Sequence, residues 1–287
     1  MKEKKLWLAY AIITTLFWGV WGAFIEIPEK AGFPATLGYV VWSLTMVPCA
    51  IIALLKIRWQ LEKDLRSAFL GFSIGILGAG GQLILFEALR LGPAYLIFPI
   101  VSLFPVVTII LSLVFLKETT TIRQKTGIII ALLAIFFMTY QKSSANPIKG
   151  YSWMILTILV FLMWGIQAYV MKISNNTMKS ESIFSYMALS AILLSPVALL
   201  MTDFSGSINW GFKGPWLAAI IHILNSVGAL MLVYALRYGK AVIVVPLTGL
   251  SPLITVVISL ILYSVIPGPV LLVGLILATA SILLLSE

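Results

Sequence analysis

The sequence predicts an all-α integral membrane protein of ten transmembrane helices. They form a 5+5 inverted-topology repeat with both termini cytoplasmic. Three observations predict it. First, the 287 residues are 61% apolar and 10% charged, with a mean hydropathy of +1.09. Soluble domains are about 45–50% apolar and about 25% charged, and a soluble fold could not bury this much apolar surface. Second, continuous apolar runs of about 20 residues, the length of a bilayer-spanning helix, recur along the whole chain. Third, the positive charges alternate from one connection to the next. Strands of a membrane barrel would be about 10 residues long with alternating polarity, and these runs are continuous.

The runs fall at 6–25, 36–55, 67–90, 93–116, 124–141, 151–171, 182–202, 214–236, 241–263 and 267–286. The first follows Lys2, Lys4 and Lys5, a basic flank like that of a signal peptide. Its apolar stretch exceeds the usual 7–15 residues and lacks a small-residue cleavage pattern, so it reads as a retained helix. The second contains Cys49, the single cysteine. One cysteine forms no internal disulfide, and with one distant histidine it offers no zinc spacing. The third is rich in glycine (Gly71, Gly75, Gly78, Gly80 and Gly81), which points to close helix packing. The fourth and ninth carry paired prolines, Pro99 with Pro105 and Pro246 with Pro252. These remove backbone donors and should kink the helices, shaping a cavity and permitting motion.

Ten spans sort the cations. Lys2, Lys4 and Lys5 share a side with connections two, four, six and eight, which carry Lys56, Arg58, Lys63, Arg66, Lys117, Arg123, Lys125, Lys172, Lys179, Arg237 and Lys240. That is 14 of the 19 Lys and Arg residues. The opposite side holds Lys30, Arg90, Lys142, Lys149 and Lys213. By the positive-inside rule both termini are cytoplasmic.

The chain also matches itself. Shifted by 147 residues, "FEALRLGPAY" lies over "VYALRYGKAV", and Gly81, Arg90, Pro99, Pro105 and Thr108 meet Gly228, Arg237, Pro246, Pro252 and Thr255. A shift of 146 lays Trp18-Gly19 over Trp164-Gly165. Leucine matches are common in membrane segments, whereas matched proline, glycine and arginine are not. The repeats are read as 1–142 and 143–287, together one transport domain. Five helices per repeat is odd, so the second enters from the opposite side, the arrangement of many secondary transporters.

Ten spans in a duplicated set of five, the early "FWG", the Ala-Leu-Arg boundary, the paired prolines and "FLKETTTIRQKTGIIIALLAIFFM" resemble the drug/metabolite transporter superfamily, specifically its EamA-type members. The resemblance covers nearly the whole chain. It implies a central cavity lined by helices 1–4 and 6–9, with helices 5 and 10 peripheral. It also implies alternating-access transport of a small solute. Family members carry amino acids, choline-like amines, nucleotide-sugars, sugars, purines and drugs. Glu118 fits the family pattern after helix 4, but the second half reads "YSVIPGP" there, so Glu118 is assigned no transport role.

The candidate binding residues are Trp18, Trp21, Trp42, Gln82, Glu87, Trp164, Gln167, Tyr169, His222, Asn225 and Tyr234. Glu87 is the one acid well inside a predicted span, where a charge is costly and usually functional. It binds a cation or relays protons, or it pairs with Arg90 three residues on. His222 and Asn225 share a helix face by their spacing, and His222 is the second candidate proton carrier. Trp7, Trp59, Trp153, Trp210 and Trp216 fit interfacial belts. Trp18 and Trp164 lie away from helix ends, where indole faces attract cations and also stack on sugars and nucleobases. Tyr234 stands where the first repeat has Glu87.

The expected activity is secondary transport of a small polar solute, leaning to an amino acid or quaternary amine, with a neutral sugar or nucleoside as rival. A lipid-linked flippase is the alternative of another class. No catalytic constellation, phosphate loop, metal cluster or cofactor motif is present, so neither an enzyme nor a cofactor is expected. The net charge of +9 is not arranged as a basic stripe with aromatics, so nucleic acid is not a partner. The partners are a small-molecule substrate and the lipid bilayer, and the location is a cell membrane, read as a bacterial inner membrane.

Overall fold

The computed structural model describes residues 6–140, 151–263 and 267–285. Lys2, Lys4, Lys5, Lys142 and Lys149, and residues 264–266 of "YSVIPGP", lie outside the described residues. Among the described residues the regular structure is helical throughout. We number the spans α1 (Leu6–Lys30), α2 (Ala35–Lys56), α3 (Leu65–Leu91), α4 (Leu96–Val114) and α5 (Ile122–Thr139). The second set is α6 (Ser152–Ser174), α7 (Ser180–Leu200), α8 (Phe212–Tyr238), α9 (Ala241–Leu262) and α10 (Pro269–Leu285). Among the described residues, nine are long and apolar enough to cross a membrane, and α10 is a shorter apolar helix.

Helix starts follow local chemistry. Asp64 caps α3 by accepting the Ser67 N–H at 3.0 Å. Thr121 and Gln124 form a capping box at α5. Each proline pair brackets a break. One half of α4 ends at Ser102 and the next starts at Pro105, and α9 breaks between Thr248 and Ser251. Pro105 and Pro252 have no N–H to continue the preceding turn, so short turns close it instead, such as Phe104 N–H to Val101 O at 3.0 Å.

The basic connections are tied together. Lys179 Nζ donates to Gln60 Oε1 (3.3 Å), Arg237 Nη1 to Met178 O (3.0 Å) and Lys240 Nζ to Thr119 O (2.5 Å). Connections two, four, six and eight therefore share one face, as ten spans require. On the opposite face Asn209 Nδ2 donates to Ala31 O at 2.9 Å.

The repeat reappears as paired contacts in the middle of the bundle. Trp18 Nε1 donates to Asn225 O at 3.2 Å, and its counterpart Trp164 Nε1 donates to Gly78 O at 3.2 Å. Thr255 Oγ1 donates to Gly19 O at 2.9 Å, as Thr108 Oγ1 does to Gly165 O at 2.8 Å. Gly228 and Gly81 are the notches that admit the indoles: an added Cβ would lie 2.6 Å from Trp18 and 2.6 Å from Trp164. Trp153 is buried against Gly92, and its counterpart Trp7 packs on Gly239. For Trp153 this corrects the belt reading: the glycine opens a slot that draws the ring inward. α5 and α10 pack on each other, with Leu284 against Gly127 and Met138 against Gly274.

α2 and α7 run antiparallel and are joined along their length. Lys56 Nζ meets Glu181 Oε1 at 2.9 Å at one end, Ser43 bonds Ser195 at 2.8 Å between, and Thr202 donates to Thr36 at 2.8 Å at the other.

Candidate functional site: a central cavity

A cavity of about 840 Å³ sits between the repeats. Its mouth is bordered by Glu26, Glu29, Ala35, Leu89 and Arg90, on the face opposite the basic connections. Its floor is apolar, built from Met46, Met171, Met187 and Val245. Such a volume suits a small organic molecule.

Eight of the eleven predicted binding residues line it: Trp18, Trp21, Trp42, Gln82, Trp164, Gln167, His222 and Asn225. The indoles are held through their N–H groups. Besides the bonds of Trp18 and Trp164, Trp42 Nε1 donates to Asn225 Oδ1 at 2.9 Å and Trp21 Nε1 to His222 Nδ1 at 3.2 Å. These bonds anchor each ring, and they define the polar groups beside them. Asn225 spends its oxygen on Trp42 and keeps its amide N–H groups for the cavity. An Nδ1 that accepts carries no proton, so His222 is neutral, with its hydrogen on Nε2. That Nε2 is buried without a partner among the described residues, facing Gly38. His222 and Asn225 share the cavity-facing side of α8, as their spacing predicts.

α3 reaches the wall because of its small residues. Its helix widens into a π-helical segment at Ile76–Gly80, a local bulge common at functional sites. Gly78 lies against the Gln167 amide, where an added Cβ would come within 2.1 Å. Pro252 also lines the cavity, beside the α9 break.

Three candidates lie elsewhere. Glu87 is not a wall residue: Arg90 Nε donates to its Oε2 at 2.8 Å and Nη2 to its Oε1 at 2.5 Å. This is the same-helix pair that the i,i+3 spacing allowed. Tyr169 packs against Phe115, ring centroids 6.2 Å apart. Tyr234 sits beyond the floor, on the basic side. Its hydroxyl donates to Glu181 Oε1 at 2.7 Å and accepts from Lys56 Nζ at 2.9 Å. Tyr10 stacks on its ring at 5.2 Å.

Sequence reasoning missed Glu181 because the apolar run begins at Ser182, which left the acid in a connection. Its side chain is only 9% exposed. The repeat pointed to Tyr234, the partner position of Glu87, but the counterpart of Glu181 is Ala35 and gave no signal. Tyr39, Phe104 and Thr248 also line the cavity; apolar runs give aromatic and hydroxyl residues of this kind no distinguishing pattern. Glu118, set aside as a transport residue, accepts the Ala241 and Val242 N–H groups at 3.0 and 2.9 Å and so caps α9 from the other repeat. Among the described residues no His, Cys, Asp or Glu cluster fits a metal ion.

Comparison with known proteins agrees with this architecture. The model of the EamA-like transporter family matches residues 5–140 and again 151–287. An uncharacterized protein of Methanocaldococcus jannaschii is 30% identical over 128 residues, covering 45% of this chain and 92% of that one. An uncharacterized transporter of Archaeoglobus fulgidus is 31% identical over 150 residues, half of each chain. A protein crystal structure at 14% identity superposes with a TM-score of 0.77, covering 96% of this chain and 94% of that chain, which speaks to the fold. Matched once per repeat on a ten-helix bundle around one cavity, the chain belongs to the EamA-like transporter family, a multi-pass membrane protein.

Proposed function

We propose that this chain is a secondary transporter that moves a small, polar, net-uncharged organic solute by alternating access. The observation that carries the reading is the composition of the cavity wall. Three side-chain amides, Gln82, Gln167 and Asn225, face a space framed by four anchored tryptophans. Amides donate and accept, so they match hydroxyl, carbonyl and amide groups without a net charge. The indole faces suit the flat apolar side of a sugar or nucleobase. The charged groups of the wall, Glu26, Glu29 and Arg90, stand at its mouth. Glu26 pairs with Lys30 and Arg90 with Glu87.

An organic ammonium is the second reading, supported by the same indole faces. It had relied on Glu87, which is bonded to Arg90 instead. A thermal-stability panel on purified protein separates the two. Sugars, nucleosides, amino acids and choline-like amines are added to wild type, Asn225→Ala, Gln82→Ala and Glu87→Gln. Saturation at one hundred times Kd adds about 2.7 kcal/mol of stability. A neutral solute that stabilises wild type and Glu87→Gln alike, and either amide variant much less, supports the first reading. Stabilisation by an amine that vanishes in Glu87→Gln overturns it. Flux of that solute into proteoliposomes then tests transport itself.

A further inference from the structure

The repeats make matching contacts in the middle of the bundle and different contacts at its two ends. On the basic face the end of α8 is docked. Tyr234 bonds Glu181 and Lys56, and Arg237 Nη1 donates to the carbonyls of Asn175 (3.2 Å) and Met178 (3.0 Å). The repeat relates α8 to α3, so Tyr234 corresponds to Glu87 and Arg237 to Arg90. It also relates the docking groups. The Lys56–Glu181 pair joins the end of α2 to the start of α7; the Thr202–Thr36 pair joins the end of α7 to the start of α2. Counting back 146 residues, Asn175 and Met178 correspond to Glu29 and Gly32 at the end of α1.

At the cavity mouth, however, Glu87 and Arg90 are bonded to each other. Ala35 on α2 and Phe86, Leu89 and Arg90 on α3 border the open cavity between them. We infer that closure of the mouth breaks the Glu87–Arg90 pair, carrying Glu87 onto the Thr36–Thr202 hydroxyls and Arg90 onto the α1 end around Glu29 and Gly32. This rests on the alternating-access reading.

The chemistry of the destination fits. On the basic face a moving phenol donates to a fixed carboxylate. At the mouth a fixed hydroxyl donates to a moving carboxylate: Thr202 shares its one proton between Thr36 Oγ1 and Ala198 O, both at 2.8 Å, and the proton of Thr36 itself turns to Glu87. The first turn of α2 carries no acid to repel Glu87, whereas the first turn of α7 carries Glu181. Arg90 meets the Glu29 carboxylate besides the carbonyls that its counterpart uses. One ion pair thus holds the mouth open by occupying the two groups that close it.

The test is a disulfide in proteoliposomes. In a Cys49→Ala background, Thr36→Cys with Glu87→Cys is oxidised with copper phenanthroline and scored by loss of maleimide-PEG labelling. Glu181→Gln, which weakens docking on the basic face, is then added. The expected result is a disulfide that Glu181→Gln raises several-fold, with none formed by the control pair Thr36→Cys and Phe69→Cys. A separate reporter, Gln82→Cys labelled by an impermeant maleimide from either side of the vesicle, measures access alone. If access changes sides with Glu181→Gln but no 36–87 disulfide forms in either background, the docking proposal is overturned and alternating access stands. If access never changes sides, both are overturned.

Discussion

Gly228→Ala tests the packing that holds the cavity. The added Cβ would lie 2.6 Å from both Cδ1 and Nε1 of Trp18, well inside van der Waals contact. Overpacking of this kind costs about 1–3 kcal/mol. Displacing the indole also strains or breaks its bond to Asn225 O, worth about 0.5–1.5 kcal/mol. Alanine returns about 0.8–1 kcal/mol of helix propensity over glycine. The net expectation is a loss of about 1–3 kcal/mol, seen as a thermal midpoint several degrees lower by tryptophan fluorescence of the purified protein. Gly81→Ala, facing Trp164 in the same geometry, should lose a similar amount. Gly206→Ala, with nothing within 4 Å, should match wild type. A Gly228→Ala protein more stable than wild type by about 0.8–1 kcal/mol would refute the notch argument, because helix propensity alone would then account for the site.

Further outcomes follow from the bonds between repeats. Thr108→Val and Thr255→Val each leave a carbonyl of the other repeat without its donor and should each lower stability by about 1 kcal/mol, with the serine variants close to wild type in the same melt. Glu181→Ala removes the acceptor of Tyr234 and Lys56; the largely buried carboxylate and the exposed lysine together make a loss of about 1–2 kcal/mol the expectation, read from the thermal midpoint. Hydrogen bonds from the Ser67 side chain and amide hold Asp64 below the usual carboxylate range. A depressed folded-state value contributes stability above the ordinary carboxylate range and loses it as pH falls through the depressed value. Asparagine caps a helix about as well as ionised aspartate, so Asp64→Asn should keep most of the stability at neutral pH and, having no proton to gain, flatten the acid limb of the profile. Asn225→Ala should weaken solute stabilisation and also free Trp42, visible as a shift in indole emission.

The membrane fold was legible because its signals are collective. Ten apolar runs, alternating cations and a 147-residue shift each involve many residues, and a few misread positions do not disturb them. The site was legible only where position along a helix implies position in the bundle. His222 and Asn225 were paired by spacing, and Trp18 and Trp164 were singled out by lying far from helix ends. Glu87 was different. An acid in an apolar run has one sequence signature whether it faces a cavity or folds back on its own helix, and Arg90 at i+3 made the second arrangement available. Glu181, and with it the role of Tyr234, was hidden for a related reason. Their bond joins two helices that the sequence presents more than fifty residues apart, and one of the two stood just outside its run. Trp153 shows the limit of composition: a tryptophan near a helix end looks interfacial unless the glycine opposite is known.

The bonds of Trp18, Trp164, Thr108 and Thr255 all cross from one half of the chain to the other. α1 completes its packing against α8 and α9, and α6 completes its own against α3 and α4. A five-helix half standing alone would carry an empty notch at Gly81 and an indole with nothing to seat it. The surface that supplies both missing pieces is the same half turned upside down. The covalent link between the halves therefore supplies proximity rather than shape: two severed halves inserted in opposite senses hold every complementary surface that the joined chain uses.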